Sequence, residues 1–136
     1  MQVNRHLVDK EMDRIDHALG RPVDPTSAGY RNNYAVFDGA PEIAMFEASE
    51  HWRLVSRQGD MRFYQVTEQG RKALALHLRE TGDKHKLFWV TFEDQQSKVV
   101  GTSHSNARYR HWLNISDCLP DMKYSDFMRR ATVRTA

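Results

Sequence analysis

A chain of 136 residues, 40% hydrophobic and 28% charged, holds one domain's worth of material or two very small modules. A formal charge of +2 is too mild to imply nucleic acid by itself, and a mean hydropathy of -0.73 with three Trp, six Phe and five Tyr excludes a disordered chain. The distribution says more: residues 1–83 hold 11 Lys/Arg and 13 Asp/Glu, net -2, while residues 84–136 hold 9 and 5, net +4. Any attraction to phosphate is therefore expected mainly in the C-terminal part.

Cys118 is the single cysteine, so no internal disulfide is available and a reducing compartment fits. The first segment, "MQVNRHLVDKEMDRIDHALG", lacks the apolar core of a signal peptide and carries too many acids for a transit peptide. No apolar run approaches the length of a membrane span. A soluble cytosolic protein is the expectation, with no membrane partner. There the glycosylation triplet Asn114-Ile115-Ser116 never meets its machinery.

Along that first segment, Val8, Met12, Ile15 and Leu19 mark one helical face, with Asp9, Asp13, Arg14 and Asp16 mostly off it and Gly20 and Pro22 ending it. "RPVDPTSAGYRN" has loop composition, and "NYAVF" is a short strand or an apolar plug. A second helix is expected over "PEIAMFEASEHWRLVSR", opened by a cap at or near Asp38 and by Pro41. Met45, Ala48, Trp52 and Val55 would form its stripe, and Gly59 its stop. "RFYQVTEQGRKAL" reads as a strand turning into a helix capped by Thr67, with Leu74 and Leu78 inward.

"ETGDKHK" is the candidate boundary between a part spanning 1–82 and a part spanning 83–136, the two sharing one core. "KLFWVTF" then alternates as a strand, "EDQQS" turns, and "KVVGTS" returns to make a hairpin. Ser103 or Ser105 caps a helix with Tyr109, Trp112, Ile115, Ser116 and Leu119 along one side, closed by Pro120. "YSDFMRRA" is a short final helix capped by Ser125, and "TVRTA" a last strand or a loose tail.

Chemistry is sparsely signalled. His6, His17, His51, His77, His85, His104 and His111 show no paired i, i+4 spacing, so metal ligation is not expected and surface histidines are. Beside Asp117, Cys118 reads as a buried, inert thiol. The acid pairs Asp13/Asp16 and Glu47/Glu50 read as solvated helix faces. No glycine loop cradles phosphate, and no cofactor and no enzyme are expected.

Binding has more support. Arg57, Arg62, Arg71 and Lys72 surround the strand–helix stretch, and Arg108, Arg110, Arg129, Arg130 and Arg134 gather in the C-terminal part. Trp89, Tyr109 and Trp112 lie near these charges, where aromatics either stack on bases or pack in a core. Against DNA readout, Glu42, Glu47 and Glu50 place carboxylates on the second expected helix.

"RLVSRQGDMRFYQVTEQGRKAL" resembles the helix–wing–helix end of winged-helix proteins. With "DHALGRP" and "YRNNYAV", it resembles small uncharacterised proteins of phages and prophages, and "SHSNARYRHWLNISDCLPDMKYSDFMRRATVR" is similar to a C-terminal module of such proteins. The resemblance covers most of the chain as spaced motifs, implies an accessory role of phage origin and brings no active site; a helix-turn-helix signature ahead of the wing is missing. The expected fold is α+β, a degenerate winged-helix-like part followed by a β-hairpin with two helices. The expected function is a non-catalytic binding protein that contacts DNA or RNA as a regulator or accessory factor. The alternative is an inhibitor of host protein machinery, of anti-CRISPR or polymerase-directed type, acting through Glu42, Glu47 and Glu50. A virion or assembly component is a third reading, supported by size alone.

Overall fold

The computed structural model describes residues 2–27, 29 and 31–136. Ala28 and Tyr30, in the stretch expected as a loop from its composition, lie outside the described residues. The fold is α+β, with two three-stranded antiparallel sheets. It divides into two compact units, Gln2–Asp83 and Lys84–Ala136, and the buried residues form two clusters, one in each.

The first unit runs α1 (Lys10–Ala18), β1 (Tyr34–Phe37), α2 (Ile43–Ala48), β2 (Trp52–Gln58), β3 (Met61–Val66) and α3 (Glu68–Glu80), with the sheet ordered β1-β3-β2. Asp9 caps α1 by accepting from the Met12 N–H, which satisfies one of the unpaired donors of the first turn. Ile15 and Leu19 face the core as their spacing requires, but Val8 is outside the helix and 99% exposed. An aromatic cluster fills the core: Phe46 stacks on Tyr64 at 4.6 Å between ring centroids and meets Trp52 edge-on at 4.7 Å.

The largest departure from the sequence reading lies at residues 41–57. Only Ile43–Ala48 are helical, and Trp52–Gln58 form a strand that pairs antiparallel with β3 through the turn at Gly59-Asp60. Gly59, with φ 56, is a hairpin turn and not a helix stop. Of the expected stripe, Trp52 is buried from the strand, Ala48 and Val55 are exposed, and Phe46 is the buried residue of α2. A short apolar run is ambiguous in period; pairing with β3 decides it, because the strand's polar backbone gains a ladder that an isolated helix end lacks.

The second unit runs β4 (Lys86–Phe92), β5 (Gln95–Gly101), α4 (His104–Ile115), a single 3-10 turn at Ser116–Cys118, α5 (Tyr124–Arg130) and β6 (Thr132–Thr135), its sheet ordered β5-β4-β6. The β4–β5 turn is only Glu93-Asp94, both at positive φ (50 and 65), so Gln95, Gln96 and Ser97 belong to β5 and not to the turn. Ser103 caps α4 through the Asn106 N–H. The residue preceding α5 is Lys123, which makes no side-chain cap, and Ser125 lies inside the helix instead of capping it. On α4 the innermost residues are Ala107 and His111, while Tyr109 is 46% exposed. The "TVRTA" segment is a strand, pairing with β4 from Phe88↔Thr135 to Thr91↔Thr132.

Candidate nucleic-acid interface

The β2–β3 hairpin is built to stand in solvent. After Trp52, every residue of β2 from Arg53 to Gln58 is exposed. Its register shifts between Leu54 and Ser56, a bulge that leaves Val55 unpaired and reverses the facing of the rest of the strand. Arg57 then lies opposite Arg62, while Arg53 faces the other side and donates to the neutral amide of Gln65 at 2.8 Å. Arg57 has no carboxylate partner among the described residues, and neither has exposed Lys72 on α3.

The other two cations expected here are held by the protein. Arg62 donates to the carboxylates of Asp38 and of Glu47, the latter at 3.0 Å, and the Asp38 contact, followed by the neighbouring Tyr64, raises its pKa. Arg71 donates to the Pro25 and Ser27 carbonyls at 3.0 and 3.1 Å, fastening the loop before β1 to α3. At the hairpin tip Asp60 is exposed, so an anion would meet the flank of the hairpin more readily than its end.

In the second unit Arg129 pairs with Asp126, and Arg130 donates to Glu93 at 2.6 Å while its guanidinium lies over the Phe92 ring. Both arginines are exposed. Arg110 donates to Asn106 at 3.1 Å, and Arg108 is half-buried with its Nε unpartnered among the described residues. Arg129 and Arg130 line a cleft of about 730 Å³ with Cys118, Leu119, Pro120, Asp121, Met122 and Asp126. Cys118 is exposed at this cleft, which corrects the expectation of a buried thiol.

The acidic residues do not form one helical face. Glu42 precedes α2, Glu47 is on it, and Glu50 lies in the loop before β2. Glu47 also accepts from the Tyr64 hydroxyl at 2.9 Å, and burial pushes the Tyr64 pKa up.

Sequence reasoning missed the most enclosed polar group. Asp13/Asp16 is not a solvated pair: Asp16 is fully buried, accepting from Arg5 Nε at 2.9 Å, Arg5 Nη2 at 2.7 Å and Arg21 Nη1 at 3.1 Å. Arg21 also donates to Asp13 at 2.7 Å, which lowers the Asp13 pKa, and Arg5 reaches the Pro22 carbonyl. The network joins the N-terminal segment to α1 and the loop after it, so its role is structural. The only signal was cations at positions 5 and 21 flanking an acidic helix. His111, expected at the surface, is 8% exposed, and desolvation lowers its pKa. Among the described residues no group of His, Cys, Asp and Glu could hold a metal ion, and no helix is long and apolar enough to cross a membrane.

No family model matches the chain, and no curated protein or solved structure is detectably similar to it.

Proposed function

We propose that this chain is a small, non-catalytic binding protein of phage type. It contacts nucleic acid through the β2–β3 hairpin, acting as a wing, and through the basic second unit, and it serves as a regulator or accessory factor. The observation that carries this is the exposed run Arg53–Gln58, a ribbon whose cations Arg53 and Arg57 have no carboxylate partner among the described residues. A two-stranded ribbon fits a major groove or lies along a phosphate backbone. Only the six-residue α2 stands between β1 and β2, so no pair of helices is available for a helix-turn-helix, and the contact is to backbone more than to bases. The host-protein reading rests on Glu42, Glu47 and Glu50, and of these Glu47 is already engaged by Arg62 and Tyr64.

The test is a fluorescence-anisotropy titration with random duplex and single-stranded oligonucleotides at two salt concentrations. R57A/K72A should weaken binding of either probe and make the duplex salt dependence shallower by about 0.9 per lost phosphate contact. Absence of binding even at low salt would sink the proposal.

A further inference from the structure

The sheet of the second unit has two unlike faces. One carries Phe88, Val90, Phe92 and Val99 and packs against Ala107 of α4 and Phe127 of α5. On the other, Trp89 stands mid-strand in β4, the central strand, opposite Lys98 on β5 and Arg134 on β6. The Lys98 ammonium is 5.2 Å and the Arg134 guanidinium 5.8 Å from the centre of an indole ring of Trp89. One register step along, Thr91 pairs with Gln96 and with Thr132. Lys98, Arg134, Gln96 and Thr132 are exposed and Trp89 is half-buried. No carboxylate occupies an outward position of the three strands, and neither Lys98 nor Arg134 has one as a partner among the described residues.

We infer that this face binds single-stranded nucleic acid, with Trp89 as a stacking platform for one base and Lys98 and Arg134 as contacts to the flanking phosphates. The inference deepens the proposed nucleic-acid contact and rests on it. Three features point to this occupant. An indole held on a rigid sheet loses little freedom on stacking, and cations on both neighbouring strands match a phosphate on either side of the base. Hydroxyl and amide side chains one step along offer donors and acceptors without adding repulsive charge. A duplex does not suit the face, because its bases are stacked inside and cannot reach a flat sheet. The cations now beside the ring do not block a base. A cation over an exposed ring favours that contact by only a few-fold, whereas base stacking is worth roughly fivefold to a hundredfold. A base therefore displaces the flexible Lys98, whose ammonium moves to phosphate.

The deciding experiment titrates the full chain with a labelled twelve-residue uridine oligomer and with a duplex of equal length, reading anisotropy and tryptophan fluorescence. Parent, W89L, K98Q/R134Q and R57A/K72A are compared. The parent should bind the single strand with quenching. W89L should weaken binding roughly fivefold to a hundredfold and remove most of the quench. K98Q/R134Q should flatten the salt dependence by about 1.4, at roughly 0.7 per phosphate contact. Both changed side chains in K98Q/R134Q are exposed, so that variant decides the matter even if W89L fails to fold. Single-strand binding unchanged in K98Q/R134Q but lost in R57A/K72A would overturn this inference and leave the hairpin proposal standing. Binding insensitive to R57A/K72A but lost in K98Q/R134Q would do the reverse. No binding of either probe by the parent would overturn both.

Discussion

Replacing Asp16 with Asn keeps the shape of the side chain and removes the charge that two guanidiniums enclose. Asp16 is 0% exposed and accepts three hydrogen bonds, at 2.7, 2.9 and 3.1 Å, from Arg5 and Arg21. Arg5 and Arg21 are themselves only 8% exposed, so neither can turn to water without moving its segment. Asn retains one acceptor oxygen and points an NH₂ group at a donor; Arg21 keeps Asp13 at 2.7 Å and Arg5 keeps Asp83 at 3.3 Å, but both lose the one carboxylate that is wholly buried between them. Removing one partner of such a pair costs about 3–5 kcal/mol. At about 0.05–0.15 kcal/mol per residue, that approaches the whole stability of a unit this small. Urea denaturation followed by far-UV circular dichroism should show the D16N transition moved strongly to lower denaturant. D126N, at the exposed Arg129 pair, should shift it by less than about 1 kcal/mol. Equal small shifts in both variants would refute the reasoning, because they would mean that water reaches Asp16. The triple replacement R5M/D16L/R21M is a sharper control. It removes the fully buried charge together with both guanidiniums, and the carboxylates that stay, Asp13 and Asp83, are 30% and 16% exposed at the side chain, so it should be less damaging than D16N.

Two further predictions concern packing and pH. A Cβ on Gly70 would lie 2.7 Å from the His51 carbonyl oxygen and 2.6 Å from a Val66 methyl, so G70A should destabilise by about 1–3 kcal/mol in the same denaturation assay, despite alanine's better helix propensity. Stabilisation by G70A would show that α3 does not need this close approach. His111 has a folded pKa held below its ordinary 6.5 by burial, so the unfolded chain binds its proton more readily. Its contribution is therefore present above about pH 6.5 and is lost as pH falls through the lower folded value. Stability measured from pH 7.5 to 5 should decline less steeply in H111F than in the parent, and equal slopes would contradict this.

Some of this protein is written locally, in residues whose conformational needs do not depend on distant partners. Thr67 three places before Gly70 is an example. The hydroxyl accepts from the Gly70 N–H and starts α3, and Leu74 and Leu78 come after it at helical spacing to the core. The alternation Phe88, Val90, Phe92 marked β4, and Ser103 marked the start of α4, for the same reason. The features that were not legible depended on partners far along the chain. Trp52–Gln58 has a helix-compatible apolar spacing, and only the ladder with β3 makes it a strand. Asp16 has the sequence neighbourhood of a surface acid, and only the return of Arg5 and Arg21 to α1 buries it. Arg62 and Arg71 look as available as Arg57 and Lys72 until carboxylates and carbonyls up to 46 residues away claim them. Lys98 and Arg134 flank Trp89 only because β5 and β6 pair on opposite sides of β4. Helix periods, caps and turns are short-range properties of the chain and can be read from it. Which polar groups are enclosed and which cations stay available depends on long-range pairing, and only the tertiary structure decides that.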